Sequence, residues 1–233
     1  MKERLSIIIP VLNEGAVLTK TLSALQLLRQ AGHEVIVVDG GSTDGSAALS
    51  ETLADRVIQS RSGRSRQMNG GASIAGGDVL LFLHADTCLP GEADHLILTG
   101  MKNLRRHWGR FDVRLSGNHF LLRAVEALMN LRSRLSGIAT GDQGIFVERA
   151  VFEAAGGFPE IDLMEDVTLS RRLKKYGPPL CLREKVFTSS RRWEKNGVVR
   201  TILLMWSLRL AYFLGANPAR LARLYEKPTL FAG

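Results

Sequence analysis

The chain has 233 residues, 45% of them apolar and 23% charged, which is enough for a sizeable core and too apolar for disorder. Its net charge of +8 at neutral pH suits three kinds of partner: nucleic acid, an anionic membrane surface or a phosphate-rich substrate. RNP-type aromatics and paired Cys/His ligands are absent, and the basic residues fall in short local clusters (Arg61, Arg64, Arg66; Arg105, Arg106, Arg110; Arg191, Arg192). That pattern favours discrete anionic ligands and argues against nucleic acid. Cys88 and Cys181 lack metal-type spacing and are expected to be reduced thiols of a cytoplasmic protein. Residues 1–10 enter a strand almost at once, so no secretory leader is expected.

The first predicted strand is Leu5–Val11, closed by Pro10 near its end. Leu18, Leu22, Leu25 and Leu28 predict a helix over Val17–Ala31, stopped by Gly32. A strand at Val35–Val38, a helix at Ser46–Asp55 and a short strand at Val57–Gln59 follow. Ser62–Gly71 is read as a basic loop running into a helix from about Asn69 to Ala75, and Val79–Leu83 as the next strand. Strands with unbroken apolar runs alternating with helices predict a mostly parallel, doubly covered sheet.

Two of these strands deliver carboxylates at their C-terminal ends, Asp39 and Asp86, where open α/β sheets bind ligands. Asp39 suits a base or ribose, and Asp86 a cation against phosphate oxygens. Pro10, Asn13 and Glu14 end the first strand, where Asn13 is equally a good helix cap. Arg64 and Arg66 offer forked donors to phosphate, and Gly63 frees the backbone beside them.

The second half is less regular. It predicts a strand at Arg110–Leu115, a helix at Phe120–Leu135, a strand at Gly144–Val147, a helix at Arg149–Ala155, and a helix at Glu165–Tyr176 ended by Gly177. Val198–Leu214 is the most apolar stretch, but it is short for a membrane span and carries Arg209. It is expected to be a buried helix, with an interfacial helix on a membrane as the alternative, since Trp206, Tyr212 and basic residues accompany it.

Four segments, Ser6–Glu14, Val37–Gly45, Ala75–Asp86 and Gly156–Glu160 leading to Glu165-Asp166, resemble the family 2 glycosyltransferases in type and order. The resemblance covers residues 5 to about 195. It implies a GT-A fold: a single α/β, Rossmann-like domain with a nucleotide-binding half (1–90), an acceptor and catalytic half (91–195) and a C-terminal apolar helix and tail (196–233). It further implies inverting transfer of a sugar from a nucleotide diphosphate to an acceptor hydroxyl, with Asp86 binding Mn²⁺ or Mg²⁺. Asp166 would be the general base and Glu165 its support. Pro10, Asn13, Glu14, Asp39, Arg64, Arg66 and Arg192 would bind the donor, and Asp142, Gln143 and Trp193 the acceptor. A UDP-sugar is favoured over a GDP-sugar. The acceptor is either soluble or lipid-linked, and residues 198–214 are a candidate peripheral contact with the inner membrane face.

Gly40 and His84 stand where many relatives carry Asp, so Asp39 and Asp86 are left to act alone. Ser62–Ala72 and Gly141–Phe146 resemble a bacterial branch of the family found near radical-SAM or arsenosugar-type genes. Ser189–Trp193 resembles in part the Gln-x-x-Arg-Trp element of processive relatives. Two other functions are weighed. A nucleotidyltransferase needs a Gly-rich loop with a basic residue after the first strand, and Pro10–Glu14 lacks one. A non-catalytic nucleotide- or membrane-binding module leaves the acids Asp86, Glu165 and Asp166 without a purpose.

Overall fold

In the computed structural model, which describes residues 3–226, one eight-stranded sheet runs through the molecule in the order β3-β2-β1-β4-β7-β6-β8-β5. In chain order the elements begin with β1 (Leu5–Val11), α1 (Gly15–Ala24), α2 (Gln26–Gln30), β2 (Glu34–Asp39), α3 (Ser46–Ser50), β3 (Arg56–Gln59), α4 (Arg64–Ile74) and β4 (Val79–Phe82). The short β5 (Thr87–Cys88), α5 (Ala93–Leu104), β6 (Trp108–Leu115), α6 (Phe120–Ser136), β7 (Ile145–Glu148) and α7 (Arg149–Ala154) follow. The chain then forms α8 (Glu165–Leu173), β8 (Leu180–Thr188), α9 (Arg191–Asn196), α10 (Val198–Phe213) and α11 (Pro218–Glu226).

The pairings β1–β2, β1–β4, β2–β3 and β6–β8 are parallel; β4–β7, β6–β7 and β5–β8 are antiparallel. The sheet is therefore the expected mostly parallel one, with its reversals confined to the second half. The β1 residues Ile7, Ile8 and Ile9 are all fully buried, alternating between two core layers. Burial of both faces is why these strands read as unbroken apolar runs. Each such side chain contributes about 1.5–3 kcal/mol relative to exposure.

Three expectations need correction. The helix expected over Val17–Ala31 divides at Leu25, whose amide bonds back to Leu22 O, so α1 and α2 are separate short helices. The 62–71 segment is not a loop up to Asn69: α4 already starts at Arg64, after Gly63 with φ of 133°. Gly71 permits this, because a Cβ there would lie 2.5 Å from Ile8 Cγ2 in the strand below. The helix expected over Ser46–Asp55 stops at Ser50, whereas the one expected over Glu165–Tyr176 holds to Tyr176, its end from Lys174 tightening to a 3-10 turn.

α10 is buried on one face only. Thr201, Leu204 and Leu208 face inward, and the two leucines pack with Met164, Val167 and Leu221. Among the described residues no helix is long and apolar enough to cross a membrane. The tail 227–233 of the C-terminal segment lies outside the described residues.

Candidate active site

Beyond the C-terminal ends of β1 and β4 lies a cleft of about 820 Å³. Its walls include Pro10 at the end of β1 and Glu14 after it, Ser62–Gln67 at the start of α4, His84–Asp86 after β4, and Glu165 at the head of α8. Asp142, Trp193, Met205 and Tyr225 complete it. Residues distant in sequence meet here because parallel strands point their C-terminal ends the same way.

Two of the acids follow strained residues. Asn13 (φ 55°) precedes Glu14, and Met164 (φ 70°) precedes Glu165. A left-handed conformation disfavours residues with a Cβ, and such residues persist where the surroundings over-determine them. Asn13 is held by its side chain: its Oδ1 accepts from Thr43 N at 2.8 Å, and its amide donates to Ser42 Oγ at 2.9 Å. This fixes Asn13 as a clamp on the Gly40–Gly45 loop. It is not among the residues lining the cleft, and the structure gives it this clamping role.

Asp39 is buried; its Oδ2 accepts from the amides of Gly41 (2.9 Å) and Ser42 (3.0 Å). Its Oδ1 has no hydrogen-bond partner among the described residues. A buried acceptor without a donor costs about 1–3 kcal/mol, so Asp39 keeps an acceptor open to a ligand donor, although the buried residue, like Asn13, is not among those lining the cleft. The missing acid at position 40 has a steric reason. A Cβ on Gly40 would lie 3.1 Å from the Gln67 amide, and Gln67 Nε2 donates to Val11 O and Val38 O, tying α4 to β1 and β2.

Asp86 and Glu14 converge on one cation. Arg191 Nη2 donates to Glu14 Oε2 at 2.9 Å and to Asp86 Oδ2 at 3.2 Å. Arg191 is therefore the basic residue at this point, while the expected Arg192 also lines the cleft. Arg192 instead stacks 3.7 Å from the Tyr225 ring centroid and donates to Tyr225 O, closing the cleft between α9 and α11. The sequence marked both as one basic pair, and only the start of α9 decides which meets the two acids. Among the described residues no cluster of three or more His, Cys, Asp or Glu side chains could enclose a metal. Asp86 and Glu14 still fit a divalent cation: they already hold a positive group between hard oxygen donors, and diphosphate oxygens would fill the remaining positions.

Arg64 and Arg66 flank the amino end of α4, where free amides and the helix dipole favour anions. Arg64 Nη1 lies 3.9 Å from Glu165 Oε1, and Arg66 pairs with Glu160 at 3.3 Å. Glu165 is buried; burial first, and the neighbouring Asp166 charge second, push its carboxyl up to about 7. Asp166 is turned differently. Its Oδ2 accepts from Gly141 N at 2.9 Å and its Oδ1 from Val167 N at 2.7 Å. The cleft face of the acid pair is thus Glu165, with Asp166 just behind it.

His84 leans on the other side of this turn. Its Nδ1 lies 3.3 Å from Asp142 Oδ1, and a Cβ on Gly141 would meet its Nε2 at 2.5 Å. Burial would raise the Asp142 carboxyl, but the hydrogen bond and charge of His84 hold it below its ordinary range. Asp142 is half-exposed in the cleft, as an acceptor-binding residue requires. Gln143 is not. Fully buried, it accepts from Thr140 N and caps the turn, which corrects its expected acceptor contact. Trp193 lines the cleft as expected. The wall formed by Met205, Ala219, Ala222 and Tyr225 went unforeseen, because an apolar helix signals packing and gives no hint of what it packs against.

The model of the family described as "Glycosyl transferase family 2" matches residues 6–147. The chain belongs to this family. A "PGL/p-HBAD biosynthesis glycosyltransferase" of Mycobacterium tuberculosis is 41% identical over 98 residues, 39% of this chain and 38% of the relative. An "Undecaprenyl-phosphate 4-deoxy-4-formamido-L-arabinose transferase" of Yersinia pestis is 33% identical over 102 residues, 39% of this chain and 31% of the relative. The matches thus span under two-fifths of these relatives' lengths.

Residues 1–349 of S. aureus TarS superpose with a TM-score of 0.67 at 18% identity, over 87% of this chain and 64% of that fragment. The Pyrobaculum calidifontis mannosyltransferase PcManGT, solved with GDP-Man and Mn²⁺, does so at 0.62 and 21% identity, over 80% of this chain and 57% of PcManGT. These likenesses support the same GT-A architecture.

Proposed function

We propose that this family 2 protein is an inverting glycosyltransferase that moves a sugar from a nucleotide diphosphate to an acceptor hydroxyl. The observation that carries the reading is the convergence of three elements in one cleft. Asp86 and Glu14 hold a cationic group, the arginine-flanked head of α4 offers an anion site, and Glu165, with Asp166 just behind it, supplies a pair of carboxyl groups.

In this reading residues 1–90 hold the nucleotide: the open Asp39 Oδ1 takes a base or ribose donor, beside Pro10. Arg64, Arg66 and the α4 amides bind the diphosphate, with Asp86 and Glu14 on its cation. When bound there, Mn²⁺ or Mg²⁺ would supply positive charge against the leaving diphosphate. Residues 91–195 hold the acceptor, with Asp142 and Trp193 contacting it. Asp166 takes the acceptor hydroxyl proton as that oxygen attacks the anomeric carbon opposite the diphosphate. The buried Glu165 keeps its own proton until about pH 7 and supports Asp166. A second reading exchanges the two roles, and its specific support is that Glu165 faces the cleft while Asp166 bonds the Gly141 amide.

The preferred donor in this account is a UDP-sugar, supported by the TarS structures with UDP and UDP-GlcNAc. The acceptor is lipid-linked, supported by the name of the Yersinia relative. Two free cysteines accord with a reducing, cytoplasmic compartment. Membership of the radical-SAM- or arsenosugar-associated branch rests on the sequences of Ser62–Ala72 and Gly141–Phe146. Thermal-shift screening of UDP-, GDP- and dTDP-sugars with and without Mn²⁺ tests the donor half. Stabilisation by a UDP-sugar that deepens with Mn²⁺ is expected, and no response to any nucleotide sugar would remove the basis of the reading.

A further inference from the structure

α10 is apolar on two faces, and the described residues cover only one. Opposite the packed Thr201, Leu204 and Leu208, the residues Val199, Leu203, Trp206, Leu210 and Phe213 form an exposed stripe at helical spacing, with Trp206 60% exposed. The neighbouring α6 repeats the pattern. Its Leu122 and Val125 pack with Val198 and Ile202 of α10, whereas Leu128, Leu131 and Leu135 are exposed, Leu135 by 79%. Two adjacent helices with uncovered apolar stripes exceed the scattered exposure of an ordinary soluble surface.

The charges here have one sign. α10 carries two arginines (Arg200, Arg209) and no Asp or Glu, and α11 adds Arg220, its other arginine, Arg223, lining the cleft. On α6 the one acid, Glu126, is buried and paired with Arg123 at 3.0 Å. A second copy seated on this face would oppose arginine to arginine. A surface of anionic headgroups over an apolar interior complements both features, and an exposed Trp beside basic residues is the usual signature of a helix lying in such an interface.

We infer that the α6–α10 face docks this protein on an anionic phospholipid bilayer. The proposal stands on this surface alone and does not require the transfer reaction. Its consequence for the cleft is direct: Met205 of α10, with Ala219, Ala222 and Tyr225 of α11, forms a cleft wall, so docking sets that wall beside the membrane.

The test is co-sedimentation of the full chain with phosphatidylcholine vesicles, with and without phosphatidylglycerol. Binding should require phosphatidylglycerol, weaken with added salt, and fall at least roughly tenfold in Leu203→Ser/Leu210→Ser. These side chains lie outside the cleft, so nucleotide-dependent thermal stabilisation should persist and report a folded variant. A second readout does not need that variant: Trp206 emission should shift to the blue on anionic vesicles, and Trp206→Phe should remove the shift. The proposal is overturned if the wild type ignores anionic vesicles, or if binding or the blue shift survives these substitutions. It is equally overturned if the face instead mediates a dimer, seen by sedimentation velocity, in a protein that does not bind vesicles.

Discussion

Arg191 donates from a single nitrogen to Asp86, at the end of β4, and to Glu14, after β1, so one guanidinium spans the two strand ends where the diphosphate and its cation would sit. A cation entering this position must displace it. Arg191 is exposed and its ion pairs are solvent-screened, so displacement costs about 0.2–1 kcal/mol, a factor of roughly 1.4–5. Arg191→Gln should therefore tighten binding of Mn²⁺ alone by that factor, read by the paramagnetic signal of free Mn²⁺. Unchanged or weaker Mn²⁺ binding would mean that the arginine does not compete for the site.

The acid pair makes a pH prediction. The Glu165 carboxyl is raised from 4.5 to about 7, so folding favours its protonated form. The sign follows: its contribution to stability is full below about pH 4.5 and is lost as pH rises through about 7. Glu165→Gln keeps a neutral group there, so the variant's melting temperature should fall less than the wild type's between pH 5 and 8. Equal slopes would show that Glu165 is not held neutral.

Activity separates the two assignments of the base. Asp166→Asn should lower transfer by about 10²–10⁴-fold with nucleotide affinity nearly unchanged. Glu165→Gln should cost less and flatten the alkaline side of the pH profile near 7, where Glu165 itself would lose its proton. The reverse order of losses would give the base role to Glu165.

Much of this was legible in the chain. β1, β2 and β4 are buried on both faces, and an unbroken run of Ile, Val and Leu has no other comfortable home. The site acids at their ends followed from the strand positions alone. What the sequence hid was orientation: adjacent residues of one type, Arg191 and Arg192 or Glu165 and Asp166, differ only in the direction a helix start gives each. The early beginning of α4 was missed because Gly63 and the basic residues Arg64 and Arg66 read as a loop, whereas Gly63, at φ 133°, is the residue that precedes the helix.

Gly40 offers a stability test. Gly40→Asp restores the acid many relatives carry, yet its Cβ would press on Gln67 at 3.1 Å, where a neighbour must give way. The strain should cost about 1–3 kcal/mol, seen as a lower melting temperature. Gly40→Asp combined with Gln67→Ala should not recover it, because Gln67 Nε2 would no longer satisfy Val11 O and Val38 O. Full recovery would show that Gln67 is only a steric obstacle.

The central claim is that Asp86 helps hold the cation of a bound nucleotide diphosphate. Calorimetric titration of UDP with and without Mn²⁺ tests it most directly, in the wild type and in Asp86→Ala. The account predicts that Mn²⁺ strengthens UDP binding at least tenfold in the wild type (about 1.4 kcal/mol) and has little effect in Asp86→Ala. Metal-enhanced binding of equal size in both proteins would contradict it.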